Sequence, residues 1–158
     1  MTQNFYSNGK LLLSGEYAIL DGAEGWAIPT KFGQSLTVTP TRYKVIEWRS
    51  LDADGTTWFT ASLNSTTLTI ITTSNKEIAQ TLKTLLGEAK SINSNFLNKN
   101  NGIDVETTLT FPRNWGLGTS STLINNIASW AMVDPYMLLA KTFGGSGYDL
   151  ACAQHHSS

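Results

Sequence analysis

One cysteine, Cys152, in a chain of 158 residues excludes an internal disulfide framework. Charge is also scarce: 11 Lys and Arg against 12 Asp and Glu leave a net charge of -1. A chain so balanced has no basic field with which to hold nucleic acid, so any anion site must be local. No apolar run approaches the roughly 20 residues of a membrane-spanning helix, and no charged-then-apolar leader opens the sequence. These absences predict a cytoplasmic protein with no nucleic-acid and no membrane partner, and leave a homodimer open. What is abundant is apolar material, 41% of residues, enough at this length for one domain with a core of its own. The chain stops at GYDLACAQHHSS with an apolar segment just under way, and the expectation is a truncated product or a fragment.

The first half alternates with the period of half-buried strands. Residues 10–20 are apolar around a Ser-Gly-Glu break, and in 35–39 Leu36 and Val38 alternate with hydroxyl side chains. Residues 43–50, 56–61 and 66–72 continue the pattern, with turns expected at 52–55 and 62–65. The period then changes, because Ile78, Leu82, Leu85, Leu86, Ala89, Ile92 and Phe96 share one face of a helix. Ser74 and Glu77 read as its capping box. After an Asn-rich connection, residues 93–102, the residues Ile103, Val105, Thr107, Leu109 and Phe111 alternate with Asp104, Glu106, Thr108 and Thr110 as a clear strand. A helix with the stripe Leu123, Ile124, Ile127, Ala128 and Ala131 follows, and a second runs from Asp134-Pro135 to near Gly144. The pattern predicts an α+β domain, a mixed but mainly antiparallel sheet with helices on one face.

Between the clear strand and the next helix lies FPRNWGLGTSST, residues 111–122. Gly116 and Gly118 let the backbone bring its amides close to a ligand. Thr119, Ser120 and Ser121 add hydroxyls where unpaired N–H groups and the positive helix end converge, a natural anion cradle. An ordinary strand-to-helix turn explains the same residues equally well when they are taken alone. No Lys follows the glycines as in a Walker A loop, and the GxGxxG spacing of a dinucleotide turn is missing.

The loop is similar to the P-x-x-x-G-L-G-S-S-A motif of the GHMP kinases, with Pro112, Gly116, Leu117, Gly118, Thr119 and Ser120 in matching places. A second motif of that superfamily, P-G-K-x-x-L-x-G-E, resembles NGKLLLSGEYAILDG at 8–22, and GGSGYDLA at 144–151 resembles the segment that carries the acidic residue. The wording GEYAIL is nearer the phosphomevalonate kinases than most mevalonate kinases, and GYD is like the GYDIA-type bacterial branch. The resemblance covers residues 5–154 and only the amino-terminal half of such an enzyme, so residues 1–158 are expected to be a truncated ATP-binding domain without its carboxy-terminal companion. It also implies a left-handed β-α-β unit, against the usual right-handed rule.

In function, the resemblance implies an enzyme that transfers a phosphoryl group from ATP to a hydroxyl or phosphate of a mevalonate- or phosphomevalonate-like small-molecule substrate, with Mg2+ as cofactor. The fragment alone is expected to be inactive, and a non-catalytic nucleotide- or metabolite-binding module is the alternative. The loop, Gly116 to Ser121, would cradle the ATP phosphates, with the Ser120 hydroxyl on the magnesium ion. Asp149 would orient or deprotonate the acceptor hydroxyl. Lys10 would sit beside the moving phosphoryl group and hold Asp149 ionised. Ser14, Glu16 and Tyr17 would line the acceptor pocket. Singly, Lys10 reads as a solvated lysine, Asp149 as a helix cap and Glu16 as a surface ion-pair partner; three motifs in family order outweigh these readings. One departure stands out: Leu138 occupies the place of a magnesium-binding Glu of mevalonate kinases, and Leu cannot ligate a metal. Cys152, His155 and His156 include one soft ligand with no second cluster, so metal is not expected there. Trp58 and Trp115 are candidates for stacking on adenine and covering the loop, on no motif.

Overall fold

The alternating segments become strands in the computed structural model, which describes residues 1–12, 27–99, 101–113 and 119–142. The strands are β1 (Gln3–Leu12), β2 (Ala27–Thr41), β3 (Val45–Leu51), β4 (Thr57–Asn64), β5 (Ile70–Thr73) and β6 (Gly102–Leu109). The helices among the described residues are α1 (Lys76–Ile92), α2 (Thr119–Ala131) and α3 (Pro135–Thr142). The sheet runs β1-β2-β6-β3-β4-β5. Only β3 and β6 pair in parallel; every other neighbouring pair is antiparallel. Through these pairings β5 and β6 point the same way, so α1 forms a β-α-β crossover that passes β4 and β3. This is the α+β architecture that the patterning predicts.

The two sheet faces differ as strand alternation requires. In β3, Ile46, Trp48 and Ser50 are buried while Glu47 and Arg49 are exposed. Outward, Arg49 pairs with Glu106 at 3.2 Å, and the Ser62 hydroxyl donates to Glu47 at 2.6 Å. Inward, Leu36, Ile46, Trp48, Phe59, Leu63 and Val105 pack in one core with Leu82, Leu85 and Leu86 of α1, Ile124 and Ile127 of α2, and Leu138 of α3. Each such side chain contributes about 1.5–3 kcal/mol when fully buried. At the head of β6, a Cβ on Gly102 would overlap the Tyr43 and Val45 carbonyl oxygens, so glycine lets β6 enter beside β3.

Two local expectations are corrected. The turn expected at 62–65 falls at 65–67, and β4 runs on through Asn64. Leu63 is fully buried opposite Ile46, so packing holds the strand extended. Asn64 takes over the turn, its side-chain oxygen accepting from the amides of Thr66 and Thr67 at 2.8 and 2.9 Å. The strand expected over 66–72 shrinks accordingly to β5. The cap of α1 is Asn75 rather than Ser74: Asn75 Oδ1 accepts from the Ile78 amide at 3.1 Å. Ser74 Oγ accepts instead from the Thr60 amide at 3.0 Å, serving the sheet. Asn75→Ala should therefore lower stability by about 1 kcal/mol, read as a lower urea midpoint at unchanged slope.

Candidate functional site

α2 begins directly after the glycine loop. Residues 114–118 lie outside the described residues, as do 13–26 and 143–158. The expectations for Gly116, Leu117, Gly118, Ser14, Glu16, Tyr17, Asp149, Trp115, Cys152, His155 and His156 therefore fall outside them. Of the remaining candidates, Thr119 opens α2, Ser120 is exposed in its first turn, Ser121 is half-buried, and Pro112 is exposed at the loop entrance. No acidic residue stands in that first turn, so no carboxylate of α2 itself offsets the positive end of the helix.

Ser120 opens onto a cavity of about 300 Å3 between the inner sheet face, α1 and the start of α2. Trp48, Trp58, Phe59, Ile78 and Leu85 supply its apolar wall; Gln34, Ser50 and Thr81 supply polar groups. The Trp48 indole donates to Ser50 Oγ at 3.1 Å. Trp58 Nε1 is buried without a hydrogen-bond partner among the described residues. The result is a largely apolar chamber with the start of a helix in its rim, a combination that suits an apolar ring attached to an anionic group.

The loop entrance is strapped to this chamber. Arg113 makes a fork with Asp52, Nε to Oδ1 at 2.8 Å and Nη2 to Oδ2 at 3.3 Å. Its guanidinium carbon lies 4.4 Å from the Trp58 ring centroid. A partly exposed ion pair of this kind contributes about 0.2–1 kcal/mol, with a similar amount from the ring contact. One side chain thereby joins the residue before the loop to the β3–β4 turn and to the cavity wall. In the same turn Asp54 is held below the usual carboxylate range, chiefly by hydrogen bonds from Thr56.

α2 is fixed to the sheet by buried polar contacts. Ser7 Oγ donates to Asn126 Oδ1 at 2.6 Å and accepts from Asn125 Nδ2 at 2.7 Å. Asn126 Nδ2 donates to the Gln34 carbonyl at 2.8 Å, and Thr122 Oγ1 donates to Gln34 Oε1 at 2.7 Å. Gln34 is itself part of the cavity wall, so the network links β1, β2, the helix after the loop and the chamber. Periodicity finds only the apolar stripe of α2. The adjacent buried amides Asn125 and Asn126 were the missed signal, since paired amides inside a helical pattern need buried partners.

Lys10 lies in β1, its backbone opposite Pro29, just after a register shift between Asn8 and Lys10. Such a bulge re-aims the residues that follow it. Gly33 opposite Asn8 is held close to β1, since a Cβ there would overlap the Ser7 carbonyl oxygen. Leu138 is fully buried in the core, as a residue that ligates no metal should be. Among the described residues no group of three or more His, Cys, Asp and Glu could hold a metal ion, and no helix there is long and apolar enough to cross a membrane.

No family model and no curated protein matches the chain. Solved structures do. The mevalonate kinase of Methanococcus jannaschii superposes with a TM-score of 0.66 at 14% identity, over 92% of this chain and 48% of that one. The mevalonate kinase of methicillin-resistant Staphylococcus aureus gives 0.60 at 17%, over 96% and 50%. The phosphomevalonate kinase of Streptococcus pneumoniae, solved with phosphomevalonate and AMPPNP, gives 0.60 at 14%, over 96% and 46%. The chain thus spans about half the length of the structures it matches. It has the fold of the amino-terminal domain of the GHMP kinases.

Proposed function

We propose that this chain is the ATP-binding, amino-terminal half of a GHMP-type kinase that phosphorylates a hydroxyl or phosphate of a small metabolite resembling mevalonate or phosphomevalonate. The observation that carries this reading is the shared wall: Ser120, in the first turn after the glycine loop, lines the same cavity as Trp48, Trp58 and Phe59. A nucleotide needs that pairing of an apolar slot for its base with helix-end amides and hydroxyls for its phosphates. The fold shared with kinases, one of them solved with AMPPNP, supports the same conclusion.

Magnesium fits the donor set in part: the exposed Ser120 hydroxyl would supply one oxygen ligand, with the remaining ligands left to ATP, water and residues outside the described set. When bound, the ion would neutralise charge on the phosphates. The loop from Pro112 to Ser121 would hold the triphosphate in line with the acceptor. Asp149 would orient the acceptor hydroxyl and take its proton, while Lys10 would balance charge on the phosphoryl oxygens. The acceptor oxygen then bonds to the γ-phosphorus as the β–γ bridging P–O bond breaks, and ADP leaves. Ser14, Glu16 and Tyr17 are the candidates for the acceptor wall.

If the base occupies the cavity, Trp58→Leu should weaken ATP about tenfold, the equivalent of about 1.4 kcal/mol of lost stacking. The check is calorimetric titration, with the melting temperature as a control for folding. The activity itself is tested by following ADP release from the whole protein that carries this chain, over a panel of mevalonate, phosphomevalonate and aldose sugars. Release with one metabolite well above the rest supports the kinase. ATP binding with no release above the metabolite-free rate supports a second reading, a module that holds a nucleotide or metabolite without turnover.

A further inference from the structure

We propose that a second cavity, at the opposite end of α2 from the glycine loop, binds a small neutral polyhydroxyl ligand, a sugar or a polyol. This cavity has a volume of about 380 Å3 and is walled by the carboxy-terminal end of α2, the Asn-rich segment after α1, and the starts of β3 and β6. Small-molecule sites occupy roughly 300–1,000 Å3. The run of α2 from Ser120 to Trp130 and Ala131 separates it from Ser120 by about 15–17 Å. It is therefore distinct from the nucleotide chamber and does not depend on that assignment.

Ser65 lines it, 4% exposed, and its hydroxyl has no hydrogen-bond partner among the described residues. A buried hydroxyl left unpaired is destabilising unless something supplies the missing bond. Asn95, Asn98 and Asn101 stand around it with amides that both donate and accept. Asn93, whose Nδ2 donates to the Ala131 carbonyl at 2.7 Å, ties the ends of α1 and α2 together beside them. Leu97 and Met132, both in the wall, have φ of 56° and 59°. Met132 takes this left-handed conformation as the residue that caps α2, its amide donating to the Ser129 carbonyl at 3.3 Å and the Val133 amide to the Ala128 carbonyl at 3.0 Å.

The chemistry of the wall selects the ligand. Among the described residues that line it there is no carboxylate to attract a cation, and Lys99 is the one charged side chain. Two helix carboxy-terminal ends oppose an anion there. Trp130, half-buried and edge-to-face with Phe96 at 4.7 Å, adds an aromatic surface. Amides that satisfy hydroxyls in both directions, beside a ring that takes an apolar C–H face, fit a sugar or polyol.

The test is saturation-transfer NMR and tryptophan fluorescence on the intact chain with glucose, galactose, mannose, myo-inositol and glycerol. At least one should saturate in the millimolar range, with an affinity unchanged by excess ATP. Ser65→Ala should weaken that ligand about 5- to 10-fold. Asn98→Leu, at an exposed position that the fold does not use, should weaken it at least about threefold. Absence of saturation by every compound up to about 100 mM, displacement by ATP, or unchanged affinity in both variants would overturn the proposal.

Discussion

Lys10→Met and Asp149→Asn should each lower phosphoryl transfer by about 100- to 10,000-fold while leaving ATP affinity within about threefold. The expected split follows from the proposed roles. Both groups would act on the acceptor and the moving phosphoryl, where charge develops, whereas the nucleotide would be held by the loop and by the chamber that Ser120 lines. Phosphoryl transfer draws its acceleration from positioning and charge stabilisation, so removing one charge at the transfer point costs rate rather than binding. In the strand, the Lys10 backbone follows a register shift in β1, three residues beyond Ser7, which is bonded to Asn125 and Asn126. Single-turnover ADP formation beside ATP titration separates the two quantities. Full turnover in either variant would remove that residue from the reaction.

Asn126→Leu should be the most damaging of the structural substitutions, lowering stability by about 2–5 kcal/mol. Leu keeps the approximate volume but orphans two groups: Ser7 Oγ loses its acceptor and the Gln34 carbonyl loses its donor. Asn126 is 1% exposed and Ser7 fully buried, so water cannot replace either bond. For a chain of this size the melting temperature should fall by about 5–15 °C. A double-mutant cycle with Ser7→Ala, which removes the orphaned hydroxyl but also takes an acceptor from Asn125 Nδ2, should read the Ser7–Asn126 contact as a coupling of about 1 kcal/mol or more. Additive losses would mean that the contact is not energetically shared.

The elements were legible where one periodicity acted without competition. β6 alternates without a break, and the apolar stripes of α1 and α2 keep helical spacing, so the burial of Val105, Leu85 and Ile127 follows from pattern alone. Boundaries were less legible because several residues can fill the same role: Ser74 and Asn75 are both good caps, and the sheet claims the Ser74 hydroxyl. The insertion of β6 between β2 and β3 is set by packing across long sequence separation, which no local pattern encodes. The same holds for the cavity, assembled from Gln34, Trp48, Trp58, Ile78 and Ser120. The glycines and hydroxyls of residues 116–121 suggest an anion site or an ordinary turn from the sequence alone, whereas the apolar chamber that Ser120 lines has no local sequence signal. Arg113 in the loop motif gave no hint that it would bridge Asp52 and Trp58.

The central claim is that Ser120 and the chamber of Trp48, Trp58 and Phe59 together form a nucleotide site. It is tested most directly by titrating the chain with ATP by calorimetry, with and without Mg2+, alongside the Trp58→Leu variant. Saturable one-to-one binding that strengthens with Mg2+ and weakens about tenfold in the variant is the result expected. No saturation up to about 10 mM ATP, or binding indifferent to both Mg2+ and Trp58, would contradict it.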